Sequence, residues 1–179
     1  MTLKIMAATE KIRAVREGDL PALVSIYNHY IANTHITFDV DPYTQESRRA
    51  WFDGFSDTGP YRLYVAEVDG KSVGFAYSDR FHPRDGYDPS VSTSIFIDPD
   101  FVGRGIGYRL YAHLIEALQS EAVVHRAYAG IALPNPGSIT LHEHLGFKLA
   151  GTFHEVGSKF GKFWDVSWYE KELGRSGYN

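Results

Sequence analysis

SIFIDPDFVGRGIGYRLYAHLIEAL, residues Ser94 to Leu118, decides the fold. Ile95, Phe96 and Ile97 are β-branched or aromatic and predict a strand. Asp98-Pro99-Asp100 breaks it, and Gly103, Gly105 and Gly107 follow at alternate positions. Ile106, Leu110, Leu114, Ile115 and Leu118 then recur at helical spacing. Strand, glycine-rich turn and helix start together make an anion site. Absent side chains let a phosphate reach the backbone, and the first helical N–H groups have no partner within the helix. Arg104 adds a positive charge, and the backbone from Gly103 to Tyr108 would form the cradle. The dinucleotide pattern GxGxxG is excluded because its third glycine would fall at Tyr108, and no Gly-Lys-Ser/Thr of a Walker loop is present.

Composition narrows the classes. A chain of 179 residues with 44% apolar and 22% charged residues fits one globular domain with a substantial core. A net charge of −4 gives no general attraction to nucleic acid or anionic lipid. The absence of cysteine removes disulfides, thiolate metal sites and cysteine nucleophiles. No signal peptide or membrane-spanning run is recognisable, so a cytoplasmic protein is expected. His142 and His144 flank Glu143, but this spacing splays them onto different helix faces, so no metal site is expected.

In order, residues 1–11 read as a loose leader and Ile12–Val15 as a first strand. Asp19 is placed to cap a helix with Pro21 in its first turn, and Thr34–Val40 is extended. Thr44 caps a second helix carrying Trp51, Phe52 and Phe55. Tyr61–Val68 and Lys71–Arg80 form a hairpin about Asp69-Gly70. A Pro/Gly/Asp-rich loop, Phe81–Pro89, leads into the central strand Ser90–Ile97. After the long helix, Ala127–Leu133 is a strand, Pro134–His144 opens into a short helix, and Gly146 stops it. Strands over Phe147–Val156 and Phe163–Leu173 complete one domain, 12–173, with a tail at 174–179.

The glycine loop resembles the acetyl-CoA loop of the GCN5-related N-acetyltransferases (GNAT), usually Gln/Arg-x-x-Gly-x-Gly/Ala. Gly105 and Gly107 match; Val102 replaces the polar residue and removes one side-chain contact. Asn135–Phe147, NPGSITLHEHLGF, is similar to that family's Asn-x-x-Ser/Ala-x-x-Leu-Tyr/His-x-x-x-Gly-Phe segment. Gly157–Val166, GSKFGKFWDV, resembles the tail of the phosphinothricin-acetyltransferase branch, with Phe163 in place of its usual tryptophan. The first helix IYNHYI, the TFD segment and VAEVDGKSVGFAY extend the resemblance from about Ile12 to Leu173.

The resemblance implies an α/β (α+β) acyl-CoA N-acyltransferase fold, a mixed twisted sheet flanked by helices, working as a homodimer. Acetyl-CoA would lie in a V-shaped opening between two central strands. It would be held by Ile95, Phe96, Ile97, Gly103, Arg104, Gly105, Ile106, Gly107, Tyr108 and Asn135, with amides along Phe96–Ile97 polarising the thioester carbonyl. His142 occupies the position of the tyrosine that protonates the leaving thiolate. The acceptor, a small amine of amino-acid type, would meet Phe38, His82, Arg84, Tyr87 and Lys159.

The acceptor side departs from the branch. Ser92 stands where a general-base glutamate is usual, and a serine hydroxyl does not take up a proton at neutral pH. His82 and Asp88 replace arginines, losing two-pronged bonds to an acceptor anion, and Asp88 adds repulsion. A poor fit to phosphinothricin is therefore expected, with His82, His142 or water as the proton acceptor. Acetylation of a polyamine or peptide N-terminus, and acyl-CoA binding without catalysis, are the alternatives.

Overall fold

The computed structural model describes residues 9–174. The expected leader lies outside the described residues up to position 8, and the expected tail from 175 onward. The first strand starts inside the supposed leader: β1 is Glu10–Ala14. Helices α1 (Leu20–Asn33) and α2 (Gln45–Phe52) follow, then the hairpin β2 (Leu63–Val68) and β3 (Lys71–Arg80). Next come β4 (Ser90–Ile97), α3 (Ile106–Gln119), β5 (Arg126–Ala132), α4 (Pro136–His144), β6 (Lys148–Lys159) and β7 (Lys162–Glu172).

Seven strands form one sheet in the order β1-β2-β3-β4-β5-β7-β6. Every neighbouring pair is antiparallel except β4 and β5. The turn at Asp69-Gly70 has both residues at positive φ, 48° and 80°, which matches the twist of the flanking strands. Period-two alternation splits the apolar residues between the two faces. Leu110, Tyr111, Leu114 and Leu118 of α3 pack with Ala66, Ala76, Ala127 and Ile131 on one face. Leu20, Leu23, Ile31 and Phe52 of α1 and α2 pack with Leu63, Val65 and Phe75 on the other.

Local signals held with three revisions. Thr44 caps α2, accepting from the Ser47 amide at 3.0 Å while the Ser47 hydroxyl accepts from the Thr44 amide at 2.9 Å. That helix ends at Phe52, so Phe55 lies beyond it. Asp19 makes no side-chain cap on α1. Its carboxylate instead accepts both Arg13 Nη groups at 2.7 and 2.8 Å, the Ser72 hydroxyl at 2.7 Å and the Arg16 amide at 2.7 Å. β6 continues past Val156 to Lys159, because irregular pairing between Phe153 and Gly157 lets the chain rejoin the ladder.

Candidate active site

The site begins with a parting of strands. β4 and β5 pair only where Ser90–Ser92 meet Arg126–Tyr128. Beyond that, β4 stays bonded to β3 as far as Ile97, while β5 stays bonded to β7. The antiparallel ladder alternates, so the Phe96 peptide turns toward β3 and those of Ile95 and Ile97 face the gap. Two bonds fix this phase: the Asp98 amide donates to the Val73 carbonyl at 2.8 Å, and the Tyr30 hydroxyl donates to the Ile97 carbonyl at 2.5 Å. Of the amides along Phe96–Ile97, that of Ile97 therefore faces the gap, together with the amide of Ile95. Phe96 contributes its ring, packed edge-on against Tyr27 at 4.8 Å.

At the open end of β4 the glycine loop turns into α3. Gly103 and Gly105 sit at φ 81° and 75°, conformations that L side chains rarely adopt. Gly107 differs, since an added Cβ there would make only ordinary contact with Ile97 at 3.6 Å. Ile106 is buried in the core and offers only its backbone, while Tyr108 is about half exposed. The Arg104 guanidinium donates to the Asp100 carbonyl at 2.7 Å and lies over the Phe101 ring at 4.7 Å. Arg109, which the sequence reading missed, also borders the loop. Its guanidinium grips Glu10 through two bonds of 2.6 Å and reaches the Arg104 carbonyl at 3.2 Å. Its only sequence signal is a cation in the first turn of α3; its partner lies on β1.

Between the parted strands runs a narrow cavity of about 180 Å³, reached by Ser94, Ile95, Phe96, Asn135 and His142 among others. Asn135 caps α4, its Oδ1 accepting the Ser138 amide at 3.1 Å. His142 is 3% exposed, whereas His144 on the same helix is exposed, as the spacing predicts. His142 Nδ1 lies 2.7 Å from the Ser138 carbonyl. A carbonyl only accepts, so Nδ1 carries the proton and Nε2 keeps a bare lone pair. Nε2 is buried with no partner among the described residues. Burial lowers the imidazole pKa below its usual value, and the Ser138 carbonyl opposes this only partly. Nδ1 thus holds a proton, and burial disfavours a second one on Nε2.

On the α1 face of the sheet a wider cavity of about 460 Å³ opens over β4, β5 and β7. Ile36, Thr93, Ser94, Gly130 and Ala132 border both cavities, so the two adjoin. Ser92 and Phe38 line the wider one. His82, Arg84 and Tyr87 line neither. The His82 and Tyr87 rings lie 4.4 Å apart, and the Arg84 amide donates to His82 Nδ1 at 3.2 Å, within the loop before β4. Lys159 is buried, and its ammonium donates to the Thr37 carbonyl at 2.7 Å. That bond ties the 34–39 segment to the β6–β7 hairpin, so Lys159 positions a wall of the site. Asp88 accepts Arg80 at 2.9 Å, and this pairing offsets the repulsion expected of it.

A loop that would admit a pyrophosphate, a gap lined by unpaired strand amides and a buried unpartnered imidazole together fit an acyl-CoA thioester. The acetyltransferase (GNAT) domain family matches residues 12–168. The chain is 47% identical to the phosphinothricin N-acetyltransferase of Streptomyces coelicolor, over 93% of this chain and 98% of that one. It is 32% identical to the L-methionine sulfoximine/L-methionine sulfone acetyltransferase of Pseudomonas paraeruginosa, over 90% and 94%. A phosphinothricin acetyltransferase from Sinorhizobium meliloti, solved in complex with acetyl-CoA, superposes with a TM-score of 0.88 at 29% identity, covering 97% of this chain and 92% of that one. The chain belongs to the GNAT family of acetyl-CoA-dependent N-acetyltransferases.

Proposed function

We propose that this protein acetylates the primary amine of a small, amino-acid-like molecule, using acetyl-CoA held between β4 and β5. The single observation that carries the reading is His142, which lines the narrow cavity between β4 and β5 and whose buried Nε2 has no partner among the described residues. The relatives' acceptors, phosphinothricin and methionine sulfoximine, are themselves amino acids, which supports the class.

The loop Gly103–Tyr108 would hold the pyrophosphate by its amides, with Arg104 and Arg109 supplying positive charge nearby. Asn135 would face the pantetheine arm. When bound, acetyl-CoA supplies an acetyl group activated as a thioester. The Ile95 and Ile97 amides face the gap and would donate to the thioester oxygen as it gains negative charge. Ser92 offers a hydroxyl to the acceptor but does not take its proton. His142 Nε2 takes that proton as the amine attacks, and the imidazolium so formed returns one proton to the sulfur as it leaves. Proton and charge balance across the transfer, and one residue fills both roles. Alignment of the two substrates in adjoining cavities supplies much of the remaining rate.

Amine-dependent release of CoA thiol, with His142→Gln as the comparison, tests this. The variant is expected to lose about a hundredfold in kcat, the low end for a positioned acid–base group. An undiminished kcat would remove His142 from the proton route.

The protein assembles as a homodimer in this reading. Leu149, Phe153, Val156, Phe160 and Phe163 are all more than half exposed and lie on the β6–β7 hairpin, where β6 is the sheet's edge strand. An apolar edge of this kind is a site for covering by a second chain. Light scattering at micromolar concentration should give twice the 20.2 kDa chain mass, and the monomer mass throughout that range would refute the dimer.

A further inference from the structure

The wider cavity has an unexpected lining for a site of amino-acid chemistry. Its walls include Phe38, Phe153, Val156, Val166 and Trp168, and its polar side chains are Ser92, Thr93 and Ser94. Among the described residues, no ionisable side chain lines it. Thr93 is already committed, sharing a bond of 2.7 Å with the Tyr111 hydroxyl and donating to the Tyr128 carbonyl at 3.1 Å. Two cations on neighbouring elements are committed as well. Lys159 is held by the Thr37 carbonyl, and Arg80 by Asp85 and Asp88.

The apolar character continues past the rim. Trp168 meets Phe153 at 6.4 Å on one side and the Phe81 ring edge-on at 6.0 Å on the other, and Phe81 stacks on Tyr128 at 4.5 Å. Rings at these separations and angles form an aromatic surface suited to another ring. A volume of about 460 Å³ is in the range of small-molecule sites. An anionic side group placed there would lose its hydration with no charged partner to replace it.

We propose that this cavity selects a primary amine whose side group is aromatic and uncharged, an arylalkylamine or an aromatic amino acid. The inference rests on the acetyl-transfer reading above. Phe38 sets the depth of the cavity by lying on Gly157. A Cβ at position 157 would come within 2.2 Å of the Phe38 ring, so any larger residue drives that ring from its place.

The test compares kcat/KM for 2-phenylethylamine and tryptophan with that for phosphinothricin and glutamate, read as thiol release. The aromatic amines are expected to lead by roughly ten- to a hundredfold, the factor that one missing charged hydrogen bond to the anionic side group represents. Gly157→Ala should raise KM for the aromatic amines several-fold more than it lowers kcat, while its affinity for acetyl-CoA by calorimetry reports that the variant has folded. Equal or better turnover of phosphinothricin or glutamate overturns the aromatic assignment alone. An unchanged aromatic KM in a folded Gly157→Ala protein removes the Phe38 wall from it. Failure of every amine to release thiol overturns the acetyl-transfer reading, and this inference with it.

Discussion

Replacement of Gly105 by valine is expected to weaken acetyl-CoA binding about a hundredfold. Three effects add. Gly105 sits at φ 75°, where a β-branched residue is strained by roughly 1–3 kcal/mol. Its added Cβ would come within 2.8 Å of Arg109 Nη1, disturbing a guanidinium otherwise fixed by Glu10. Relief of either strain moves the amides that would cradle the pyrophosphate. Gly107→Ala is the matched control, because its Cβ meets Ile97 at an ordinary 3.6 Å, and binding should change little. Calorimetric titration of both variants separates loop geometry from a general loss of stability. Undiminished affinity in Gly105→Val would show that the cofactor does not use this loop.

Asp19→Ala is expected to cost about 3–5 kcal/mol of stability, toward the lower end of that range, with no direct effect on the site. Asp19 is 5% exposed, and Arg13 beside it is also largely buried. Removing the carboxylate strands both Nη groups of Arg13, although Glu67 still accepts from its Nε at 2.7 Å. Burial by itself would raise the Asp19 pKa, but bonds from Arg13, Ser72 and the Arg16 amide outweigh it and hold the pKa below the usual carboxylate value. A depressed folded pKa contributes stability that is fully present above the unfolded value of about 3.9 and is lost as pH falls through the folded one. The wild-type chain should therefore lose this increment in acid, and Asp19→Ala should show a flatter stability below about pH 4. Urea unfolding at pH 7 and pH 3 measures both. A difference below about 1 kcal/mol at pH 7 would show that the cluster around Asp19 is not a fold determinant.

Much of this was legible locally, because alternation, caps and turns are short-range signals. Lys71–Arg80 and Ser90–Ile97 could be bounded from residue pattern and flanking turns, and Thr44 declared itself by its place before α2. Asp19 shows where such reading stops. An aspartate before Pro21 looks like a cap, yet its partners Arg13 and Ser72 come from two strands whose approach no local pattern encodes. The same holds for Arg109 with Glu10, 99 residues apart, and Lys159 with Thr37, 122 apart. His142 could be named from its motif, but its tautomer follows from the Ser138 carbonyl one helical turn away. His82, Arg84 and Tyr87 were named by the same kind of analogy. The loop that carries them places them outside both cavities, and the walls come instead from Val156, Val166 and Trp168 on the last hairpin. Side-chain alternation on β6 is interrupted by its irregular pairing, which hides that wall from a period-two reading.

The measurement that reaches the central claim most directly is CoA thiol release from acetyl-CoA, followed across pH with and without a saturating primary amine, in wild type and His142→Gln. The wild type should release thiol only when amine is present and yield the acetylated amine in equal amount. Its kcat should fall on an acid limb lying below the usual imidazole range, where a neutral imidazole with a pKa lowered by burial becomes protonated. That limb should vanish in His142→Gln. Thiol release that ignores the amine, or an acid limb that survives unchanged in the variant, would contradict amine acetylation through a neutral His142.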